Sequence, residues 1–196
     1  MTLSKIVGID EVGRGPLAGP VTVCVASCDF KDYLRFKKDK NLPAFGKDSK
    51  KLTPILRQKY FKYLKKLSID FSVVSVSNKI IDKKGISFSI KKAINEGLKK
   101  QKLNPKKCKI LLDGGLYAPS EFLFQKTIIK GDEKEKIISW ASIIAKVSRD
   151  NFMVKMHKKY PEYMFDRHKG YGTKIHKGVI LKYGLSPIHR KSFCRR

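Results

Sequence analysis

The stretch KIVGIDEVGRGPLAGPVTVCVAS, residues 5–27, decides the fold of this chain. It holds two runs rich in β-branched residues, KIVGID and PVTVCVAS, with a turn rich in glycine and proline between them. This pattern predicts two neighbouring strands, the second of them buried. Two acids, Asp10 and Glu11, close the first run directly before Val12-Gly13-Arg14-Gly15. The chain therefore begins with a strand that carries carboxylates up to a glycine-rich loop.

The rest of the chain continues with alternating strand and helix patterns. Residues 31–51 are polar and lysine-rich, which predicts a loop or a broken helix. Thr53 and Pro54 then predict the start of a helix. Further strands are predicted at residues 69–77, 109–114 and 122–130, and helices at 55–67, 86–101, 137–160 and 174–183. The simplest fold for this order is a single α/β domain.

Two of these helices have a predicted face. In the first, the apolar side chains of one broad face are Ile55, Leu56, Tyr60, Tyr63, Leu64 and Leu67. We expect this face to be buried and the lysines opposite to be solvated. The segment 137–160 keeps its apolar spacing for about six turns and ends at Pro161, so it predicts the main buried helix.

The charge of the chain restricts its partners. It has 196 residues, with 44 Lys and Arg against 17 Asp and Glu, a formal charge of +27. Because 41% of the residues are hydrophobic, the chain can form a core, and the charge must lie on a folded surface. Such a surface points to nucleic acid or an anionic membrane as its partner.

Several classes of protein are excluded at this point. No apolar window of about 18 residues could span a bilayer, and the N-terminus does not read as an export signal. We therefore expect a cytoplasmic protein with no membrane association. The cysteines lack the spacing of a zinc site, so reduced thiols are expected at Cys24, Cys28, Cys108 and Cys194.

Four acids stand beside glycines at predicted strand ends: Asp10, Glu11, Asp113 and Asp132. Ligands of α/β sheets gather at strand ends, so these side chains could converge although they are distant in sequence. Clustered carboxylates repel one another, and an all-carboxylate set suits Mg²⁺ or Mn²⁺. With a cationic surface, this indicates two-metal chemistry at phosphorus. The alternative is that each acid caps a helix or satisfies a turn.

At this point the motifs become recognisable, because IVGIDEVGRGPLAGPV closely resembles the signature of the ribonuclease HII family. The other matching segments follow in the family's order: DSKKL (48–52), LLDG (111–114), KGD (130–132), ASIIAKVSRD (141–150), HKGYGT (168–173) and HRKSF (189–193). The resemblance implies a ribonuclease H-like fold, a mixed five-stranded sheet flanked by helices. It also implies a helical C-terminal part, about residues 164–196, that closes over the substrate.

The resemblance also implies an activity. Members of the family cut the phosphodiester 5′ to a ribonucleotide in RNA/DNA hybrids or in duplex DNA with embedded ribonucleotides, leaving 3′-hydroxyl and 5′-phosphate ends. The cofactor implied is Mg²⁺ or Mn²⁺, and we expect a monomer. The four matching metal-binding catalytic acids are Asp10, Glu11, Asp113 and Asp132.

The substrate-binding residues implied by the resemblance form three groups. Gly13, Arg14 and Gly15 match the loop that reads the 2′-hydroxyl, a group that both donates and accepts hydrogen bonds. Tyr171 matches the tyrosine that packs on the sugar of the next, deoxy, nucleotide. Phosphate contacts are expected from Lys50 and Lys51.

Several other polar residues are expected to have supporting rather than catalytic roles. His168 and His189 are expected to make structural hydrogen bonds or to contact phosphate. Ser139 and Ser142 either orient Asp132 or face the core. Two further acids, Glu133 next to Asp132 and Asp150 in VSRD, are left out of the site, and Asp150 is expected to pair with a basic neighbour.

Alternatives to a ribonuclease HII remain. Ribonuclease HIII typically has lysine in place of Arg14 and an additional N-terminal domain, for which the nine residues before Asp10 leave no room. Another alternative is a nucleic-acid-binding module that has lost catalysis. A third is a different polynucleotidyl transferase of the same fold, in which Gly13–Gly15 and Tyr171 would have no role.

Overall fold

A computed structural model of the protein describes residues 3–38 and 52–194. Its centre is a five-stranded sheet. The strands are β1 (Lys5–Val12), β2 (Val21–Asp29), β3 (Asp70–Val76), β4 (Cys108–Asp113) and β5 (Gln125–Ile128). They lie in the order β3-β2-β1-β4-β5. Strand β1 runs antiparallel to β2 and parallel to β4, and β5 continues the parallel half. The predicted mixed five-stranded sheet is confirmed.

Helices lie on both faces of this sheet. They are α1 (Phe30–Lys38), α2 (Pro54–Leu64), α3 (Asn78–Lys84), α4 (Ile86–Lys100), α5 (Gly131–Lys134), α6 (Lys136–Lys159), α7 (Phe165–His168) and α8 (Lys174–Tyr183). The predicted start of α2 is confirmed, because Thr53 accepts a hydrogen bond from the backbone N–H of Leu56. The sequence pattern missed α3 and left α1 as a loop or a broken helix.

The long helix α6 packs across one face of the sheet and is the main buried helix, as predicted. It comes very close to β1 at Gly8, where a Cβ atom would lie 2.3 Å from the carbonyl oxygen of Ile137. Trp140 of α6 is fully buried, with the rings of Tyr33 and Phe36 edge-on at 6.1 and 6.0 Å. These contacts fix α1 and α6 against the same face.

The opposite face of the sheet is covered by α4. Its inward side chains, Ile90, Ala93, Ile94 and Leu98, pack against the alternate residues of the strands, among them Val7 and Val23. The sheet is therefore buried on both sides, and its strand ends are where polar side chains can meet solvent.

The predicted apolar face of α2 is only partly correct. Leu64 is buried, but Ile55 is 85% exposed and Tyr63 is 37% exposed. The helix instead turns Arg57 inward, where it donates to the carbonyl of Leu52 and lies 3.6 Å from Asp150. The inward face of α2 therefore includes an arginine that pairs with the partly buried Asp150.

The C-terminal part packs against the loop after β1 through its own apolar group, Ala18, Met153, Tyr163, Phe165 and Val179. All four cysteines are free thiols, as predicted. Within the residues described, no helix has the length and apolar character needed to cross a membrane.

Candidate active site

Asp10 and Asp113 lie side by side at the carboxyl ends of parallel strands. Ile9 of β1 is opposite Leu112 of β4, so the residues that follow them reach the same edge of the sheet. Strand β1 continues two residues beyond its predicted end, because Val12 still pairs with β2. Asp10 is buried, and its Oδ1 accepts a hydrogen bond of 2.7 Å from the backbone N–H of Glu11.

Neighbouring carboxylates disfavour the ionised forms of Asp10 and Glu11. Burial, together with the charges of Glu11 and Asp113, raises the pKa of Asp10 well above its ordinary value. Ser142 of α6 donates a hydrogen bond that offsets part of this effect. Burial also raises the pKa of Glu11, although Arg14 lies only 3.0 Å from its carboxylate. A cationic ligand at this edge would relieve both groups.

Asp132 holds a different position from the other acids. It is buried in the short helix α5, next to Gly131, whose N–H donates to Asp113 Oδ1 at 2.6 Å. The backbone next to Asp132 is therefore bonded to Asp113, but Asp132 does not line the cleft formed by the other three acids.

That cleft has a volume of about 600 Å³. The sequence-predicted residues that it brings together are Asp10, Glu11, Asp113, Gly13, Arg14, Gly15 and Tyr171. Lys50 and Lys51 lie outside the described residues. Three segments far apart in sequence thus meet in one cleft.

Cations also line the cleft, and the sequence pattern did not single them out. They are Arg57, Lys146, Arg167 and Lys169. Lys146 Nζ lies 2.8 Å from Asp150, which confirms that Asp150 pairs with a basic neighbour. A signal for Lys146 was present, because Ser142, Lys146 and Asp150 are spaced by four residues and so share one face of α6.

The loop that follows β1 needs glycine for two different reasons. Gly13 has φ +90°, and a Cβ there would lie 2.3 Å from Nε of Arg149. Gly15 has no atom within 4 Å of its Cβ position. The fold itself thus requires glycine at position 13, whereas position 15 is open to an approaching molecule.

Tyr171 extends into the cleft from the segment after α7 and is 41% exposed. The centre of its ring lies 5.9 Å from Lys146 Nζ and 5.7 Å from Arg149 Cζ. Its carbonyl is held by His176 Nδ1 at 3.0 Å. An aromatic surface with cations behind it suits a sugar or a base.

His168 and His189 have structural hydrogen bonds, as expected, and His176 joins them. The rings of His168 and His176 stack at 4.0 Å, and Nε2 of His176 lies 3.0 Å from Nε2 of His189. Burial lowers the pKa of His176 and of His189 to about 4. This histidine cluster, His168, His176 and His189, supports the segment that carries Tyr171.

The acids of the cleft fit a hard divalent cation by their chemistry, since their donors are carboxylate oxygens that repel one another. Across residues 3–38 and 52–194, no three His, Cys, Asp or Glu side chains are already drawn together as a metal-binding group. The fit therefore rests on the donor set and on the raised pKa of Asp10, not on a preformed cage.

Sequence comparisons match one protein family over nearly the whole chain. The family model described as Ribonuclease HII matches residues 7–196. The ribonuclease HII of Caldicellulosiruptor bescii is 43% identical over 190 residues, covering 97% of this chain and 86% of that protein. That of Caldicellulosiruptor saccharolyticus is 44% identical over 190 residues, with 97% and 87% covered.

Solved structures give the same fold. The ribonuclease H2 of Pyrococcus horikoshii OT3 superposes with a TM-score of 0.75 at 31% identity, covering 96% of this chain and 93% of that one. Bst-RNase HIII in complex with Mn²⁺ superposes with a TM-score of 0.70 at 19% identity, covering 93% and 64%.

Proposed function

This chain belongs to the ribonuclease HII family and is a ribonuclease H, and we propose that it cuts the phosphodiester on the 5′ side of a ribonucleotide. The proposed substrates are RNA/DNA hybrids and duplex DNA with embedded ribonucleotides, and the products carry 3′-hydroxyl and 5′-phosphate ends. The observation that carries the proposal is the meeting of Asp10, Glu11 and Asp113 with the Gly13–Gly15 loop and Tyr171 in one cleft.

We assign the catalytic and metal-binding role to Asp10, Glu11, Asp113 and Asp132. The first three acids face the cleft, and Asp132 adjoins Asp113 through Gly131. When bound, Mg²⁺ or Mn²⁺ would supply an activated water and stabilise the leaving oxygen. The oxygen-only donor set supports such a cation, and the Bst-RNase HIII structure contains Mn²⁺.

Selection of a ribonucleotide is assigned to the loop and the tyrosine. Gly15 leaves open space in which a ribose can approach the backbone, so its N–H and C=O groups can meet a 2′-hydroxyl. Arg14 is half-exposed beside Glu11 and can contact a phosphate without leaving the cleft. Tyr171 offers its ring to the sugar that follows, where a second hydroxyl would crowd it.

The remaining parts of the proposal concern duplex binding, domain organisation, oligomeric state and location in the cell. Lys50 and Lys51 are proposed to contact phosphate, together with the cations that line the cleft, Arg57, Lys146, Arg167 and Lys169. Residues from about 164 onward form the proposed substrate-binding subregion of a single catalytic domain. We propose a monomer that acts in the cytoplasm.

The test is a nicking assay with purified protein and Mg²⁺ or Mn²⁺. A duplex with one ribonucleotide should be cut 5′ to that nucleotide, and the matched all-DNA duplex should stay intact. A chelator should stop the reaction. Product ends are read by ligation and by phosphatase sensitivity.

Two outcomes would contradict the proposal. Equal cutting of both duplexes would show that the 2′-hydroxyl is not read, which rejects the ribonuclease assignment of the loop. Tight binding without cutting, under either metal, would favour a binding module.

A further inference from the structure

Two segments carry the residues assigned to sugar recognition, and neither is held by secondary structure of its own. The recognition loop, residues 13–20, connects β1 to β2, and the tyrosine segment, residues 169–171, follows α7. They touch directly, because the backbone N–H groups of Leu17 and Ala18 donate to the carbonyl of Gly170 at 2.8 and 3.3 Å. Two bonds of this kind do not by themselves fix an orientation.

The side chain of Arg149, on α6, donates hydrogen bonds to both segments. Its Nε donates to Pro20 at 2.9 Å and its Nη2 to Ala18 at 3.1 Å, both carbonyls of the recognition loop. Its Nη1 donates to the carbonyl of Lys169 in the tyrosine segment at 2.9 Å. The side chain is 1% exposed. One planar guanidinium thus ties two segments of backbone to the main buried helix.

The packing around this guanidinium leaves no free space. A Cβ on Gly13 would lie 2.3 Å from Arg149 Nε, and a Cβ on Gly170 would lie 2.4 Å from the carbonyl oxygen of Ala18. The ring of Tyr171 stands 5.7 Å above Arg149 Cζ. A change in Arg149 is therefore expected to shift the loop and the tyrosine relative to each other.

Arg190 provides a natural comparison. It is also fully buried and donates three hydrogen bonds to carbonyls, those of Gly13, Arg14 and Gly19. All three belong to the recognition loop, and none belongs to the tyrosine segment. Arg190 therefore shapes the loop, whereas Arg149 links the loop to Tyr171.

We propose that Arg149 is a positioning residue that sets the spacing between the recognition loop and Tyr171, and so the selectivity for a ribonucleotide followed by a deoxynucleotide. The inference rests on the proposed function, which assigns two consecutive sugars to these two elements. A lysine at position 149 keeps the charge but cannot donate in three fixed directions. Selectivity should then fall without loss of the fold.

The experiment is a double-mutant cycle on selectivity. Selectivity is defined as kcat/KM for a duplex with one ribonucleotide divided by kcat/KM for a continuous RNA/DNA hybrid. The variants are Arg149→Lys, Tyr171→Ala and their combination, and the matched cycle uses Arg190→Lys with Tyr171→Ala. Thermal midpoints of all variants are measured alongside.

If Arg149 acts through Tyr171, Arg149→Lys should lower selectivity by about tenfold to a hundredfold, the range expected for a misplacement near 1 Å. Tyr171→Ala should lower it too, and the double variant should fall no further. In the Arg190 cycle the two effects should multiply. A purely structural role would instead follow the thermal midpoint and multiply in both cycles.

Unchanged selectivity in Arg149→Lys, or multiplication with Tyr171→Ala, overturns the inference and leaves the proposed function intact. If Arg149→Lys does not fold, Gly170→Ala separates the same two segments with Arg149 in place. It should lower selectivity without adding to Tyr171→Ala, and wild-type selectivity there overturns the inference. If Tyr171→Ala alone keeps wild-type selectivity, the assignment of Tyr171 fails, and this inference fails with it.

Discussion

At the scale of single residues, Asp10 is a carboxylate that the fold holds in an unfavourable place. It is 6% exposed and close to two other acids, and these surroundings raise its pKa. A hydroxyl from Ser142 and the N–H of Glu11 compensate only in part. Folding alone gives no reason for such a group, whereas phosphodiester hydrolysis does.

We predict that Asp10→Asn abolishes cleavage, by about a thousandfold or more, as removal of a catalytic group does. Duplex binding should stay intact or tighten, because one negative charge no longer repels phosphate. The thermal midpoint in a chelator should rise, since the buried repulsion is removed. Cleavage kinetics, duplex affinity and thermal unfolding measure the three effects.

The matched control is Asp29→Asn at the end of β2, where the carboxylate is exposed and pairs with Lys5 at 3.6 Å. This variant should cut at the wild-type rate. If Asp10→Asn loses binding together with cleavage, Asp10 has a structural role and the assignment is wrong.

The sequence was informative about residues whose own type carries the signal. Acids next to glycines at predicted strand ends led to Asp10, Glu11 and Asp113, which do share a cleft. Arg149 and Arg190 could not be found in this way. Their partners are backbone carbonyls, some more than 100 residues away, and a carbonyl leaves no pattern of residue types.

At the scale of elements, the apolar residues predicted α6 well, because side chains on most of its faces are buried. The same kind of pattern wrongly predicted that Ile55 of α2 is buried. The period of a helix shows which residues share a face, and it does not show which face will turn inward. In α2 the inward face includes Arg57, which pairs with Asp150. Short elements such as α3 have too few residues to show a period.

The histidine cluster makes the C-terminal elements sensitive to acid. His176 and His189 have pKa values of about 4 in the folded protein, against an ordinary value of 6.5. From pH 6.5 downward the unfolded chain binds protons that the folded chain does not. Stability should therefore fall as the pH drops towards 4, by about 1.4 kcal/mol per pH unit for each histidine.

The measurement is urea unfolding from about pH 7.5 to about pH 4.5 in an Asp10→Asn background. That background is needed because the raised pKa of Asp10 acts with the opposite sign, stabilising the fold as the pH falls. His176→Gln in the same background should have a slope shallower by about 1.4 kcal/mol per pH unit. Equal slopes in the two proteins would contradict this account.

At the scale of the whole molecule, the formal charge of +27 surrounds a cleft that contains at least three carboxylates. The basic surface and the acidic cleft differ in the role proposed for them. In the function proposed above, the basic surface binds phosphates whatever the sequence and the sugar, and the acidic centre provides the chemistry. Net charge alone indicated nucleic acid or an anionic membrane as the partner, and it could not predict selectivity.

We predict a steep salt dependence of duplex binding, with affinity falling about a thousandfold or more between about 50 and about 200 mM salt. The slope should be the same for an all-DNA duplex and for one with a single ribonucleotide, since both present the same phosphates. Fluorescence anisotropy with Asp10→Asn measures both without cleavage. A shallow slope would mean that most of the lysines do not contact the duplex.

The placement of Trp140 gives the protein an intrinsic fluorescence probe of its core. It is the one tryptophan in the sequence, fully buried between α6, Tyr33 and Phe36. It does not line the cleft. Its emission should therefore shift to longer wavelength when the core opens and stay constant when a duplex binds. Opening of the core can then be followed while a duplex is bound, without an attached dye.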